Sequence, residues 1–132
     1  MTVIKLFCDA AVSGNPGPTA VGWVCYADKN QFQMGKNLKN QYSNHEAEFI
    51  SVYEALKWVR SHCDSHDIIA VYSDSKIVVQ VLSRRFSRNK IYSDYLKLIS
   101  PLLDQYTLSL VEWVPESQNK KADQLAKSYL RT

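Results

Sequence analysis

Val-Ile-Lys-Leu-Phe-Cys-Asp-Ala-Ala-Val-Ser-Gly-Asn-Pro-Gly, the stretch Val3–Gly17, decides how the rest of this chain is read. It opens as an apolar, β-branched run and closes in a Gly-Asn-Pro-Gly turn, the pattern of a buried central strand leaving the core. Asp9 interrupts that run. A carboxylate in a central strand is costly unless a charge compensates it, and the obvious compensator is a metal ion. The next question is which other carboxylates reach the same place.

Working outward, the first strand is predicted over Val3–Cys8. A second follows over Val21–Tyr26. After the polar turn Asp28-Lys29-Asn30, a third, more exposed one covers Gln31–Leu38. The gaps are too short for a helix, so the three form an antiparallel meander. Ser43-Asn44-His45-Glu46 is a helix-start signature, and Ile50, Tyr53, Leu56 and Val59 recur at helical spacing from Ala47 to about Arg60. The continuous apolar run Ile68–Tyr72 reads as a strand covered on both faces. Ile77, Val78, Val81 and Leu82 give a short helical face, and Arg84–Lys90 is the one basic cluster. Tyr92–Tyr106 is helical in pattern, with Pro101 expected to break or kink it. Leu108–Val114 is the last strand, Pro115–Asn119 a loop, and Ala122–Leu130 a closing helix. The order βββ-α-β-α-α-β-α extends the meander by two parallel strands through right-handed crossovers. The expected class is α/β, a mixed five-stranded sheet with helices on both faces.

The chain has 132 residues and a net charge of +3. A single domain over residues 1–132 with a real core is expected. The charge permits a nucleic-acid partner without arguing for one. Cys8, Cys25 and Cys63 follow no metal or disulfide motif and read as thiols of a reducing cytoplasm. No leader is expected, and no apolar run is long enough to span a membrane.

Four acids occupy meaningful positions. Asp9 lies near the end of the first strand and Asp74 just past the end of the fourth. In a parallel pair, both emerge at the sheet edge where open α/β sheets place ligands. Glu48 is read into the first turn of the first long helix and Asp123 into the first turns of the last. The helix dipole alone explains an acid at either of those sites. The strand-end pair has no such explanation. Four carboxylates without histidine or cysteine make an oxygen-only site suited to Mg²⁺ or Mn²⁺. Two such ions about 3.5–4 Å apart activate a water and stabilise the leaving oxygen of a phosphodiester.

The chain resembles the type 1 ribonuclease H family in four motifs spanning nearly its whole length. They are Asp9-Ala-Ala-Val-Ser-Gly-Asn-Pro-Gly, Ser43-Asn44-His45-Glu46-Ala47-Glu48-Phe49, Tyr72-Ser73-Asp74-Ser75 and Asn119-Lys120-Lys121-Ala122-Asp123-Gln124-Leu125-Ala126. The resemblance implies a ribonuclease H-like fold and metal-dependent cleavage of the RNA strand of RNA–DNA hybrids, leaving 3′-hydroxyl and 5′-phosphate ends. It implies Asp9, Glu48, Asp74 and Asp123 as catalytic metal ligands. It also implies Ser13, Asn15 and Asn44 as contacts to the hybrid's minor groove, where 2′-hydroxyls are displayed. Arg84, Arg85, Arg88 and Lys90 are candidate phosphate contacts, and the protein is expected to act as a monomer. Two departures stand out. Ala10 replaces the family's usual glycine, a costly exchange if that backbone needs positive φ. The loop Pro115–Asn119 lacks the histidine many relatives carry.

Weaker signals read as structure. His62-Cys63-Asp64-Ser65-His66 fits helix capping better than zinc. Trp23, Trp58 and Trp113 fit core positions. Two rival functions remain. A catalytically weak or inactive hybrid-binding module would share the fold, and metal titration discriminates it. A phospho-signalling receiver domain also clusters aspartates, but the helix-free start opposes it.

Overall fold

The computed structural model describes residues 3–63 and 67–132. The elements are β1 (Val3–Val12), β2 (Gly17–Ala27), β3 (Asn30–Tyr42), α1 (Asn44–His62), β4 (Ile68–Ser73), α2 (Lys76–Arg84), α3 (Lys90–Leu103), β5 (Leu108–Trp113) and α4 (Lys120–Leu130). A single 3-10 turn, Glu116–Gln118, precedes α4. The sheet order is β3-β2-β1-β4-β5. β1 runs antiparallel to β2 and parallel to β4, and β4 runs parallel to β5. The mixed five-stranded sheet is the expected one. Its antiparallel start is incompatible with a receiver domain.

The alternation of β1 places Ile4, Leu6 and Cys8 in one core with Val21, Trp23 and Cys25 of β2 and Ile69 and Val71 of β4. α1 covers that face with Phe49, Val52, Leu56 and Val59, all at most 2% exposed. Each such side chain contributes about 2 kcal/mol on burial. The expected Ile50, Leu56 and Val59 are buried, but the stripe is wider than expected. Tyr53 is only half-buried and carries the Lys57 ammonium 4.4 Å from its ring centre.

α4 covers the opposite face over β1–β3, and two glycines fix its height. A Cβ on Gly22 would lie 2.6 Å from Ala126 N and 2.8 Å from Ala122 O. One on Gly35, the register partner of Gly22, would meet the Tyr129 ring at 2.3 Å. The helix therefore rests directly on backbone. Gly22 also faces Asp9 across the β1–β2 ladder, so this close approach brings the start of α4 beside Asp9.

Several local expectations are corrected. β1 continues to Val12, because Ala10, Ala11 and Val12 stay paired with β2. Ala10 lies within that strand and is absent from the positive-φ residues, so its methyl group carries no backbone penalty. Pro101 does not break α3, which runs two residues beyond it to Leu103. A proline this close to the C-terminus removes only one late hydrogen bond. Trp113 is 45% exposed, because β5 is an edge strand. His62 Nδ1 lies 2.9 Å from Trp58 O, as a C-terminal cap should, while residues 64–66 of that motif fall outside the described residues. None of the three cysteines is in a disulfide.

Candidate metal centre

Asp9 and Asp74 meet by register. The last registered pair of β1 with β4 is Phe7 with Tyr72, and each acid lies two residues further along its strand. β4 ends at Ser73, so its chain turns away while β1 continues on β2 alone. Asp9 is 4% exposed, and its Oδ1 accepts a 2.9 Å hydrogen bond from Ala10 N. At Asp74 the turn is pinned from β5. Trp113 Nε1 donates to Asp74 O at 3.1 Å, and Lys76 Nζ stands 5.1 Å over the Trp113 ring.

Glu48 arrives from α1. Ser43 caps that helix by accepting from Glu46 N at 3.2 Å. The cap starts the helix at Asn44, so Glu48 is its fifth residue and lies in the second turn, not the first. Glu46 is the first-turn acid, and it accepts a 3.0 Å bond from Tyr95 OH of α3. The dipole explanation of Glu48 therefore weakens. One ligand oxygen from each of Asp9, Glu48 and Asp74 lies within 4.8 Å of the others. Asp123 is outside that close group, but it lines the same cavity of about 240 Å³ with Asp9, Glu48 and Asp74.

Burial comes first among the effects on these groups, and for Asp9 and Glu48 the repulsion of a neighbouring carboxylate comes second. Loss of water and then the Asp74 charge push Asp9 up to about 8. Burial and then Asp9 push Glu48 well above the usual carboxyl range. The two carboxyls face each other in the buried site, and both are raised. Burial also raises Asp74, against a lowering by the Asn119 amide. Without a counter-cation, the cluster is therefore a place where protons are retained at neutral pH.

The donor set fits a hard divalent cation. It is all oxygen, and Glu48 Oε2 is buried with no hydrogen-bond partner. An orphaned buried acceptor of this kind is destabilising until something positive reaches it.

Two further residues line the cavity, and neither was anticipated from the sequence. Glu116 comes from the 3-10 turn, and Lys127 pairs with Asp123 Oδ2 at 3.0 Å. The i,i+4 spacing of Asp123 and Lys127 on a helix was the available signal.

The other candidate residues separate into two groups. Asn15 and Asn44 are brought together, with Asn44 N donating to Asn15 Oδ1 at 2.9 Å. Ser13 is exposed in the same loop, and its N–H donates to Pro18 O. The basic segment is not brought to the carboxylates. Arg84 ends α2, a helix of nine residues and so about 13 Å long, whose other end adjoins Asp74. Arg85 takes a left-handed conformation, φ 57°, and pairs with Asp104 at 3.0 Å. Lys90 pairs with Asp94 at 2.6 Å. Arg84 and Arg88 make no ion pair among the described residues.

Residues 7–129 match the family model described as reverse transcriptase-like. The Enterococcus faecalis protein EbsB, a hydrolase by name, is 40% identical over 98% of this chain and 95% of its own length. The solved ribonuclease H1 of the archaeon Halobacterium salinarum superposes with a TM-score of 0.88. It is 26% identical, and 98% of each chain is covered. LC11 ribonuclease H1, solved in complex with an RNA/DNA hybrid, shares the fold at a TM-score of 0.86. That likeness is 19% identical over 97% of this chain and 96% of that one.

Proposed function

The chain belongs to the reverse transcriptase-like family, with its ribonuclease H-like fold; from that premise we propose that it is a divalent-metal-dependent endonuclease that cuts the RNA strand of RNA–DNA hybrids. One observation carries this reading: Asp9, Glu48, Asp74 and Asp123, far apart in the sequence, line one cavity together with Glu116, and Glu48 Oε2 is left buried without a partner. The nature of the solved neighbours supports a ribonuclease, and the hybrid complex of one of them supports the substrate class.

Asp9, Glu48 and Asp74 would hold Mg²⁺ or Mn²⁺, with Asp123 completing the site from α4. The chemistry such ions supply is activation of a water and stabilisation of the leaving oxygen of a phosphodiester. The chain itself does the positioning. The β1–β4 register sets Asp9 against Asp74, the Ser43 cap sets Glu48, and the Gly22 contact sets Asp123. Ser13, Asn15 and Asn44 form an exposed polar rim for 2′-hydroxyls. Because Asn15 Oδ1 is engaged by Asn44 N, its amide NH₂ is the group left to donate. The protein is read as a single-domain monomer of the reducing cytoplasm.

The test is incubation of an end-labelled RNA–DNA hybrid with the protein and Mg²⁺ or Mn²⁺. RNA fragments bearing 3′-hydroxyl and 5′-phosphate ends are expected, with none from double-stranded DNA of the same sequence. Equal cutting of the DNA duplex would make this a general nuclease. Hybrid binding without any cutting would make it a binding module.

A further inference from the structure

Asn119 stands at the N-cap position of α4 and is 2% exposed. Asparagine is among the best N-cap residues, yet this one makes no cap hydrogen bond with its side chain. Its Nδ2 donates instead to Cys8 O at 2.8 Å and to Asp74 Oδ2 at 3.4 Å. Its Oδ1 is buried without a partner. A forgone cap and an orphaned acceptor both destabilise, so local stability does not account for the arrangement.

What the arrangement achieves is a tie between the parts of the carboxylate cluster. Cys8 O belongs to the peptide immediately before Asp9. Asp74 opens the turn after β4. Asp123 lies one helical turn beyond Asn119 on α4, and its N–H donates to Asn119 O at 3.1 Å. One side chain and its own backbone thus touch three of the four carboxylate positions.

We propose that Asn119 is a positioning residue for the metal site. It sets the distance between Asp9 and Asp74, and it engages one Asp74 oxygen so that the other is the one offered to a cation. In the metal-free protein, the same contact keeps Asp74 from swinging away from Asp9 under their mutual repulsion. The inference rests on the reading of the carboxylates as a metal site.

The test is calorimetric titration of Mn²⁺, without nucleic acid, into the parent, Asn119→Ala and Asn119→Ser, with hybrid kinetics and melting temperature measured alongside. Serine supplies a hydroxyl that can cap α4 but cannot span Cys8 O and Asp74 together, so it separates positioning from folding. Mn²⁺ affinity is expected to fall about tenfold in both variants, as for other residues that orient metal ligands. Turnover falls with it, the Michaelis constant for hybrid stays at the parent value, and the serine variant melts close to the parent. A residue that only holds α4 differs in its metal readout. Melting temperature drops for alanine and recovers for serine, while the folded variants bind Mn²⁺ and turn over like the parent, and that result overturns the inference. If the variants match a parent that binds Mn²⁺ and cuts hybrid, this inference alone falls. If the parent binds no Mn²⁺, the metal-site reading falls and takes this one with it.

Discussion

The carboxylate cavity and the segment Arg84–Lys90 each gather charge of one sign, and the fold treats them in opposite ways. In the cavity, buried Asp9 and half-buried Glu48 and Asp74 are set against one another, and Glu48 Oε2 is buried with no partner. In the basic segment, Arg85 and Lys90 are already matched at the surface by Asp104 and Asp94. Charge left unsatisfied inside a fold is available to a ligand. Charge satisfied by a neighbour on the surface has little left to give, and contributes little to stability either. The comparison teaches that counting charges in a sequence overstates the basic segment and understates the acidic one.

The sharpest way to break the comparison is Asp74→Asn. Removing one ligand should lower hybrid cleavage by roughly a hundredfold or more, since metal catalysis is worth several kcal/mol. Without metal, the same change should leave the melting temperature equal or higher, because asparagine still accepts from Asn119 and repels Asp9 less. A variant that unfolds would make Asp74 structural.

Next in size is a pH effect on the metal-free protein. Asp9 is raised from the ordinary carboxyl value to about 8, so the folded state holds a proton that the unfolded state releases. That contribution to stability is fully present below about pH 4 and is lost as pH rises through about 8. Melting temperature in chelator should therefore fall across that window. Saturating Mg²⁺ should flatten or reverse the trend, because it favours the ionised carboxylates. A chelated melting curve independent of pH would mean that the cavity is more hydrated than it looks.

A smaller effect is expected at Lys127, whose ammonium stands at the rim of the cavity on Asp123. Lys127→Met should tighten divalent-ion binding by about threefold, as expected for removing one positive charge from a solvent-exposed site. Calorimetry on the two proteins checks it, and weaker binding would make Lys127 a support for Asp123 rather than a competitor of the ion.

The smallest effect belongs to the basic segment. Replacing Arg84, Arg85, Arg88 and Lys90 together by alanine should raise the Michaelis constant for hybrid modestly and leave saturated turnover intact. The slope of log affinity against log salt should change by about two, not four, because Arg85 and Lys90 are already paired. Affinity is measured with Ca²⁺ in place of Mg²⁺. A change of four would return all four residues to the binding surface.

Most of the fold was legible because it rests on local pattern. The short gaps around β2 forbid a helix, and the apolar run at Ile68 requires cover on both faces. Ser43 marks a helix start whichever core the helix meets. Failures came where position in the sheet mattered. Trp113 was placed in the core by its apolar character, but most residues of β5 stand exposed at the edge of the sheet. Ile50, Leu56 and Val59 are buried on α1 as read, but Tyr53 is only half-buried, and Phe49 and Val52 widen the buried stripe. Arg85 gave no sign of ending α2 in a left-handed turn, nor of pairing with Asp104.

For the site, the sequence alone pointed to Asp9, which interrupts an apolar run, and to Asp74, just past the end of a strand, while Glu48 and Asp123 became candidate ligands through the resemblance to the ribonuclease H motifs. Such signals are local and can be read one residue at a time. Only the tertiary structure decided how close they come. The register of β1 on β4 and the glycine floor under α4 set those distances, and neither is written within any one segment. The same holds for Glu116, Lys127 and Asn119. Each is an ordinary polar residue in its own stretch of chain. What each does depends on a carboxylate brought beside it by packing, and for Asn119 two of the partners, Cys8 and Asp74, come from strands far away in sequence.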